Sequence, residues 1–178
     1  SLEVRHFQAN CEHIAQIIQK ANTPYLTSYD SQAWPADMML VISTLHLHDQ
    51  VFEPKYQALI KTWLAQVKER LDTTTQLIPH QVYADTGLPL EGARGSSQSL
   101  MLNFLYELDP AFAQEQFLIY RKLFLDTRLG LSGIREYPEN TEGQGDIDSG
   151  PVIWNIGGAA SIVGQRTMGL YENWTSYE

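Results

Sequence analysis

With 178 residues, 43% apolar and 11% aromatic content and no low-complexity tract, the sequence describes one ordered domain able to bury a sizeable core. The 12 Lys+Arg against 21 Asp+Glu give a formal charge of −9. That balance repels phosphate backbones and anionic lipid surfaces, so nucleic acid and membrane surfaces are poor partners. Cys11 is the single cysteine, which excludes an internal disulfide and any multi-cysteine metal site.

In chain order, six helical segments emerge. Residues 3–21 place Val4, Phe7, Cys11, Ile14 and Ile18 on one stripe. Residues 35–47 (PADMMLVISTLHL) are apolar nearly all the way round, the mark of a helix buried on most sides. Residues 53–71 return to a striped pattern, with Tyr56, Leu59, Ile60, Trp63, Leu64, Val67 and Leu71 opposing Lys55, Lys61, Lys68 and Glu69. Residues 99–108 (SLMLNFLYEL) are apolar all round, and residues 110–127 carry a stripe of Phe112, Phe117, Tyr120, Leu123 and Phe124. Residues 151–164 (PVIWNIGGAASIVG) complete the series and are too short to cross a bilayer. Amphipathic and all-apolar segments thus alternate, which predicts an all-α fold of outer and inner helices in two layers.

An internal repeat supports this. Leu45-His-Leu-His-Asp49-Gln-Val-Phe52 matches Leu105-Tyr-Glu-Leu-Asp109-Pro-Ala-Phe112 at a shift of 60 residues. The Asp in each copy is expected to cap the next outer helix, with Pro110 in the first helical position. The polar connections 22–34, 73–98 and 128–150 each lead into an inner helix and would share one rim. Connections of that length carry function or short strands of their own, and residues 77–83 are one candidate strand.

The motifs Trp34-Pro-Ala-Asp37, Gly92-Ala-Arg-Gly-Ser-Ser97, Arg135-Glu-Tyr-Pro138 and Gly145-Asp-Ile-Asp-Ser-Gly-Pro151 give the chain a further character. Together with the alternating helices they resemble part of an (α/α)6 toroid of the six-hairpin glycosidase superfamily. Within it, the linalool dehydratase/isomerase-like branch looks most similar. The resemblance covers roughly residues 25–164 and implies three hairpins, about 3–48, 53–108 and 110–168, in a single domain. Three hairpins are half of a six-hairpin ring, so the resemblance implies a fragment of a longer chain, with self-association or a missing second half covering the inner layer. The terpene-converting members use a pair of cysteines, whereas Cys11 stands alone on an outer helix.

The resemblance implies a carbohydrate or another small-molecule ligand on the rim, with acid–base chemistry from carboxylates. Asp146, Asp148 and Glu136 are the catalytic candidates. Asp146 and Asp148 precede what reads as a helix N-terminus, where a carboxylate either caps the first turn or stays ionised as a base. Glu136 with Asp148 could supply the two carboxylates that flank a glycosidic bond, or Glu136 is an exposed loop residue beside a packed Tyr137. Arg94, with Glu91, either holds a ligand carboxylate or makes a structural ion pair, and both readings put an acidic residue beside it. Asp30, Trp34, Asp37 and Tyr137 complete the binding candidates, with Trp34 either a stacking platform or a staple on the core.

His46, His48 and Asp49 look like metal ligands, but positions two apart on a helix face different ways, so no metal is expected. His80 reads as an isolated loop residue. The small residues Gly157, Gly158, Ala159, Ala160, Ser161 and Gly164 suit close helix packing, not a phosphate loop, and no cofactor motif is present. Three functions remain: a glycosidase-like sugar-binding or sugar-processing domain, a lyase or isomerase acting on a small alcohol, and a non-catalytic module. Nothing in the sequence fixes the compartment.

Overall fold

The computed structural model describes residues 1–141, 143 and 149–171. Among them are α1 (Leu2–Lys20), β1 (Gln32–Ala33), α2 (Pro35–Val51), α3 (Gln57–Lys68), β2 (Gln81–Tyr83), β3 (Pro89–Glu91) and α4 (Gly95–Leu108). Then follow α5 (Pro110–Phe124), β4 (Leu125–Arg128), β5 (Leu131–Ile134), β6 (Val152–Ile153), β7 (Ile156–Gly157) and α6 (Gly158–Tyr171).

Helix α4 packs against α2, α5 and α6, while α1 and α3 pack against α2. Met38, Met39, Ile42 and Leu45 of α2 meet Met101 and Leu105 of α4 and Ile60, Trp63, Leu64 and Val67 of α3 in one apolar cluster. Leu102, Phe117, Tyr120, Phe124, Ala160 and Met168 form a second. Close approach of α6 depends on Gly164, where a Cβ would come within 2.5 Å of Ile134 Cγ1 and 3.0 Å of the Tyr120 hydroxyl. The all-apolar segments are not buried all round, however. Leu40, Leu47 and Val51 of α2 and Ile162 of α6 are exposed, so each helix keeps an apolar stripe towards water.

The all-α, half-toroid expectation is overturned. Three small antiparallel sheets accompany the helices, and the fold is mixed α/β. The first forms within the connections 22–34 and 73–98, where proline, glycine and polar residues prevent helix and the backbone groups pair across strands instead; the other two take in residues expected to be helical. In the first sheet, of order β1-β2-β3, Gln32 pairs with Tyr83, Ala33 with Val82, and Gln81 with Glu91. The second is the β4–β5 hairpin, which takes residues 125–127 out of the expected fifth helix. The third, β6–β7, occupies residues 152–157, so the last helix begins at Gly158 rather than at Pro151. Ser149 therefore does not stand at its first turn. Among the described residues no helix is long and apolar enough to cross a membrane.

The second copy of the repeat makes the expected cap; in the first, Asp49 lies within α2, and α3 begins after Tyr56 with no side-chain cap. Asp109 Oδ1 accepts from Phe112 N at 3.1 Å, capping α5 with Pro110 in its first turn. Asp49 accepts from Lys55 N at 2.9 Å and Tyr56 N at 2.7 Å, serving the backbone just before α3. Burial works against ionisation of both carboxyls, but hydrogen bonds outweigh it and hold both below the usual range. For Asp49 these come from Lys55 N, Tyr56 N and His48, and for Asp109 from Lys68 and Phe112 N. A carboxyl with a lowered folded-state pKa stabilises above its unfolded value, about 3.9, and loses that contribution as pH falls through the folded value. Asp109→Ala is expected to cost about 1 kcal/mol at pH 7. Urea unfolding should find the gap between variant and wild type narrowing below pH 4, and a pH-independent gap would refute the capping role.

Candidate functional site

The β1-β2-β3 sheet gathers residues that are distant in the chain onto the helix N-termini. Strand β1 runs through Trp34 into α2, and β3 runs through Gly92–Arg94 into α4. His80, immediately before β2, is thereby set against the first turn of α4, where its Nδ1 hydrogen-bonds Ser97 Oγ. Both side chains are more than nine-tenths buried.

Arg94 lies beneath this turn, 3% exposed. Its Nε donates to Glu136 Oε1 at 2.9 Å. Its Nη1 lies 3.5 Å from His80 Nε2 and 3.6 Å from Glu91 Oε1. The guanidinium also stands 5.0 Å from the centre of the Tyr137 ring, within cation–π range. Glu136 is fully buried, and its Oε1 also accepts from Ser96 Oγ at 2.7 Å. Burial raises the Glu136 carboxyl above the usual range, more than the hydrogen bond from Ser96 and the charge of Arg94 pull it down.

Gly95 makes this arrangement possible. Its N–H donates to Glu136 O at 2.8 Å, and a Cβ there would overlap the Arg135 carbonyl oxygen. The backbone after β5 thus lies flat on the N-terminus of α4 and delivers the carboxylate to Ser96 and Arg94.

Above the buried cluster opens a cleft of about 800 Å³. Tyr29, Trp34, Asp37, His80, Ser96 and Ser97 face it, over an apolar floor that includes Leu100 and Val163. Trp34 is half-buried, Tyr29 is 72% exposed, and Asp37 Oδ2 accepts from Ser28 Oγ at 3.1 Å. Ser96 and His80 belong to both levels, touching the buried ion pair below and the cleft above.

Polarity within the cleft follows from these bonds. The Nε2 edge of His80 faces both Arg94 Nη1 at 3.5 Å and Glu91 Oε2 at 3.9 Å, and its Nδ1 shares a hydrogen bond with Ser97 Oγ. Ser96 spends its hydrogen on Glu136 and offers lone pairs, so the two adjacent serines bring hydroxyl groups of the kind a sugar hydroxyl can pair with.

The expected site residues divide accordingly. Trp34 and Asp37 line the cleft; Glu91, Arg94, Glu136 and Tyr137 form the buried cluster beneath it. Glu136 is not an exposed loop residue, because the close backbone approach at Gly95 draws it inside. Asp30 lines neither level: with Ser31 it forms the turn between Tyr29 and Gln32, both at positive φ. Asp146 and Asp148 lie outside the described residues.

His80, expected to be an isolated loop residue, is instead buried against Ser97, and Ser96 and Ser97 stood in the Gly92–Ser97 motif without a role of their own. The partnership with His80 exists only through the sheet. His48 is 1% exposed, sits 3.1 Å from Asp49, and stacks among Phe7, Phe52 and Tyr56, whereas His46 bonds Gln50. Among the described residues no three His, Cys, Asp or Glu side chains could hold a metal ion. No protein-family model matches the sequence, and no curated protein is significantly similar to it.

Proposed function

We propose that this chain is a carbohydrate-binding domain whose ligand occupies the cleft between Trp34 and the first turn of α4. The observation that carries the reading is the pairing of aromatic faces, Trp34 and Tyr29, with a donor–acceptor set of Ser96, Ser97, His80 and Asp37 in one cleft of about 800 Å³. Sugars offer an apolar face for stacking and an edge of hydroxyls for hydrogen bonding, and this cleft supplies both. The likeness of the loop motifs to those of six-hairpin glycosidases favours the same ligand class.

Among the described residues the titratable groups lining the cleft are Asp37, His80 and the Tyr29 phenol, and we assign any acid–base step on a bound glycoside to the carboxyl and imidazole of Asp37 and His80. Glu136 is sealed beneath Ser96 and acts through it, as a positioning residue. This assignment replaces the paired-carboxylate role that Glu136 would have at an open rim.

A thermal-shift and calorimetry panel of neutral mono- and oligosaccharides, with small terpenoid alcohols as a second arm, tests the proposal. Saturable binding of a neutral sugar is expected, weakened about tenfold by Trp34→Ala, equivalent to about 1.4 kcal/mol. Asp37→Asn should weaken binding or, where the sugar is turned over, abolish turnover. Binding of terpenoid alcohols alone, or sugar binding indifferent to both substitutions, would overturn the reading.

A further inference from the structure

A second cleft, of about 1120 Å³, lies on different elements. The β4–β5 hairpin, the segment after β5 and the tip of the β6–β7 hairpin form its walls, and Arg128, Arg135, Thr141, Trp154 and Asn155 line it.

The tip is unusual. Trp154 and Asn155 are the two central residues of a tight hairpin whose flanking residues, Ile153 and Ile156, pair. Both have positive φ, 51° and 65°. A turn of this kind favours Asn, Asp or Gly at each central position, because other side chains crowd the backbone there. Asn155 meets that demand; Trp154 does not. The indole gains no burial in exchange, being 67% exposed. Leu129 and Asn140, on the same cleft, also have positive φ. Strained residues that the core does not require collect where a ligand does.

The facing wall carries charge. Arg128 Nη2 and Arg135 Nη2 both lie 2.8 Å from the same oxygen, Asp126 Oδ2. One carboxylate holds two guanidiniums side by side and neutralises one of them. Planar guanidiniums recognise carboxylates through paired N–H donors. The Oδ1 atom of Asn155 is buried without a hydrogen-bond partner, while its Nδ2 donates to Thr141 O at 3.1 Å.

We propose that Trp154 and the Arg128–Arg135 pair form a second binding site, for an acidic sugar of the uronate class. The indole stacks on the ring and the guanidiniums take the carboxylate. The exposed Glu139 on the same wall opposes a negative ligand and limits affinity.

The test is a calorimetric titration with uronate oligosaccharides, using neutral oligosaccharides of the same length as control. Wild-type protein is expected to bind the uronate saturably, and Trp34→Ala, which weakens binding in the first cleft, should leave this binding intact. Trp154→Gly should weaken it at least tenfold while the melting temperature stays level or rises, since glycine relieves the strained turn. Glu139→Gln should tighten it severalfold, most clearly at low salt. Unchanged uronate binding in Trp154→Gly, loss of binding in Trp34→Ala, or no uronate binding at all would overturn the proposal. So would a melting temperature several degrees lower in Trp154→Gly, which would make the indole a structural brace.

Discussion

Arg94→Ala is expected to unfold about 10 °C below the wild type, corresponding to about 3–5 kcal/mol. The substitution strands the fully buried carboxylate of Glu136, whose remaining hydrogen-bond donor to Oε1 among the described side chains is Ser96. Breaking a buried pair costs far more than the pair contributes, because one charge stays dehydrated. The effect should depend on pH. Burial raises the Glu136 carboxyl above the usual range, so its contribution is most favourable below the unfolded value of about 4.3 and is lost as pH rises through the folded value. Removing Arg94 takes away the cation that opposes this shift, so the variant should recover stability on going from pH 7.5 to pH 5. In Arg94→Ala/Glu136→Gln the penalty should fall well short of the sum of the single changes. Urea unfolding of all four proteins gives the coupling directly, and additive losses would dissolve the claim that the two residues act as a unit.

Gly95→Ala should cost about 3 kcal/mol or more, despite adding a single methyl group. Its Cβ would overlap the Arg135 carbonyl oxygen, a backbone atom in a segment fixed by the Arg135–Ile156 bridge and the Arg135 N–H bond to Phe124 O, which cannot swing away as a side chain would. The same change at Gly169 is the control. Among the described residues, chain neighbours and the helix's own backbone aside, no atom lies within 4 Å of a Cβ there, and alanine in a helix is favoured over glycine by about 1 kcal/mol. Thermal unfolding should move in opposite directions for the two variants. The Gly95 variant should also lose ligand binding in the Trp34 cleft, because Glu136 and Arg135 must retreat from α4. A Gly95→Ala protein with wild-type stability would mean that this backbone approach is looser than described.

These two predictions bear on what a sequence can reveal. Helices announce themselves through spacing, and the six segments correspond to α1–α6 with shifted ends. Residues 77–83 were a candidate strand and contain β2, but the other strands were hidden for a definite reason. Strands of two to four residues contain no alternation to detect, and β1 finds its partner only through β2, in another connection. Residues 151–157 show how this misleads: Pro-Val-Ile-Trp-Asn-Ile-Gly is apolar enough to extend the helix pattern, yet positive φ at Trp154 and Asn155 turns it into a hairpin.

The site divides in the same way. Arg94 was expected beside an acidic residue, and it has Glu136 and Glu91 as neighbours. Trp34 and Asp37 were legible because they stand at the start of a helix that the pattern locates. His80 was not, since nothing in Pro79-His80 points seventeen residues ahead to Ser97. The burial of Glu136 was equally out of reach, because it depends on the missing side chain at Gly95.

The three-stranded sheet also governs when the cleft can come into being. Strand β1 has no early partner; β2 follows roughly fifty residues later, so closing that loop carries an entropic cost that local helix formation does not. During synthesis the segment around Trp34 must wait, unpaired, until the chain beyond Glu91 has emerged. The helices on either side can form first, and the cleft is stitched together afterwards. Pulse-labelled hydrogen exchange should therefore find the amides of Ala33 and Val82 protected later than those of α1, so that acquisition of a ligand-competent cleft reports on completion of folding.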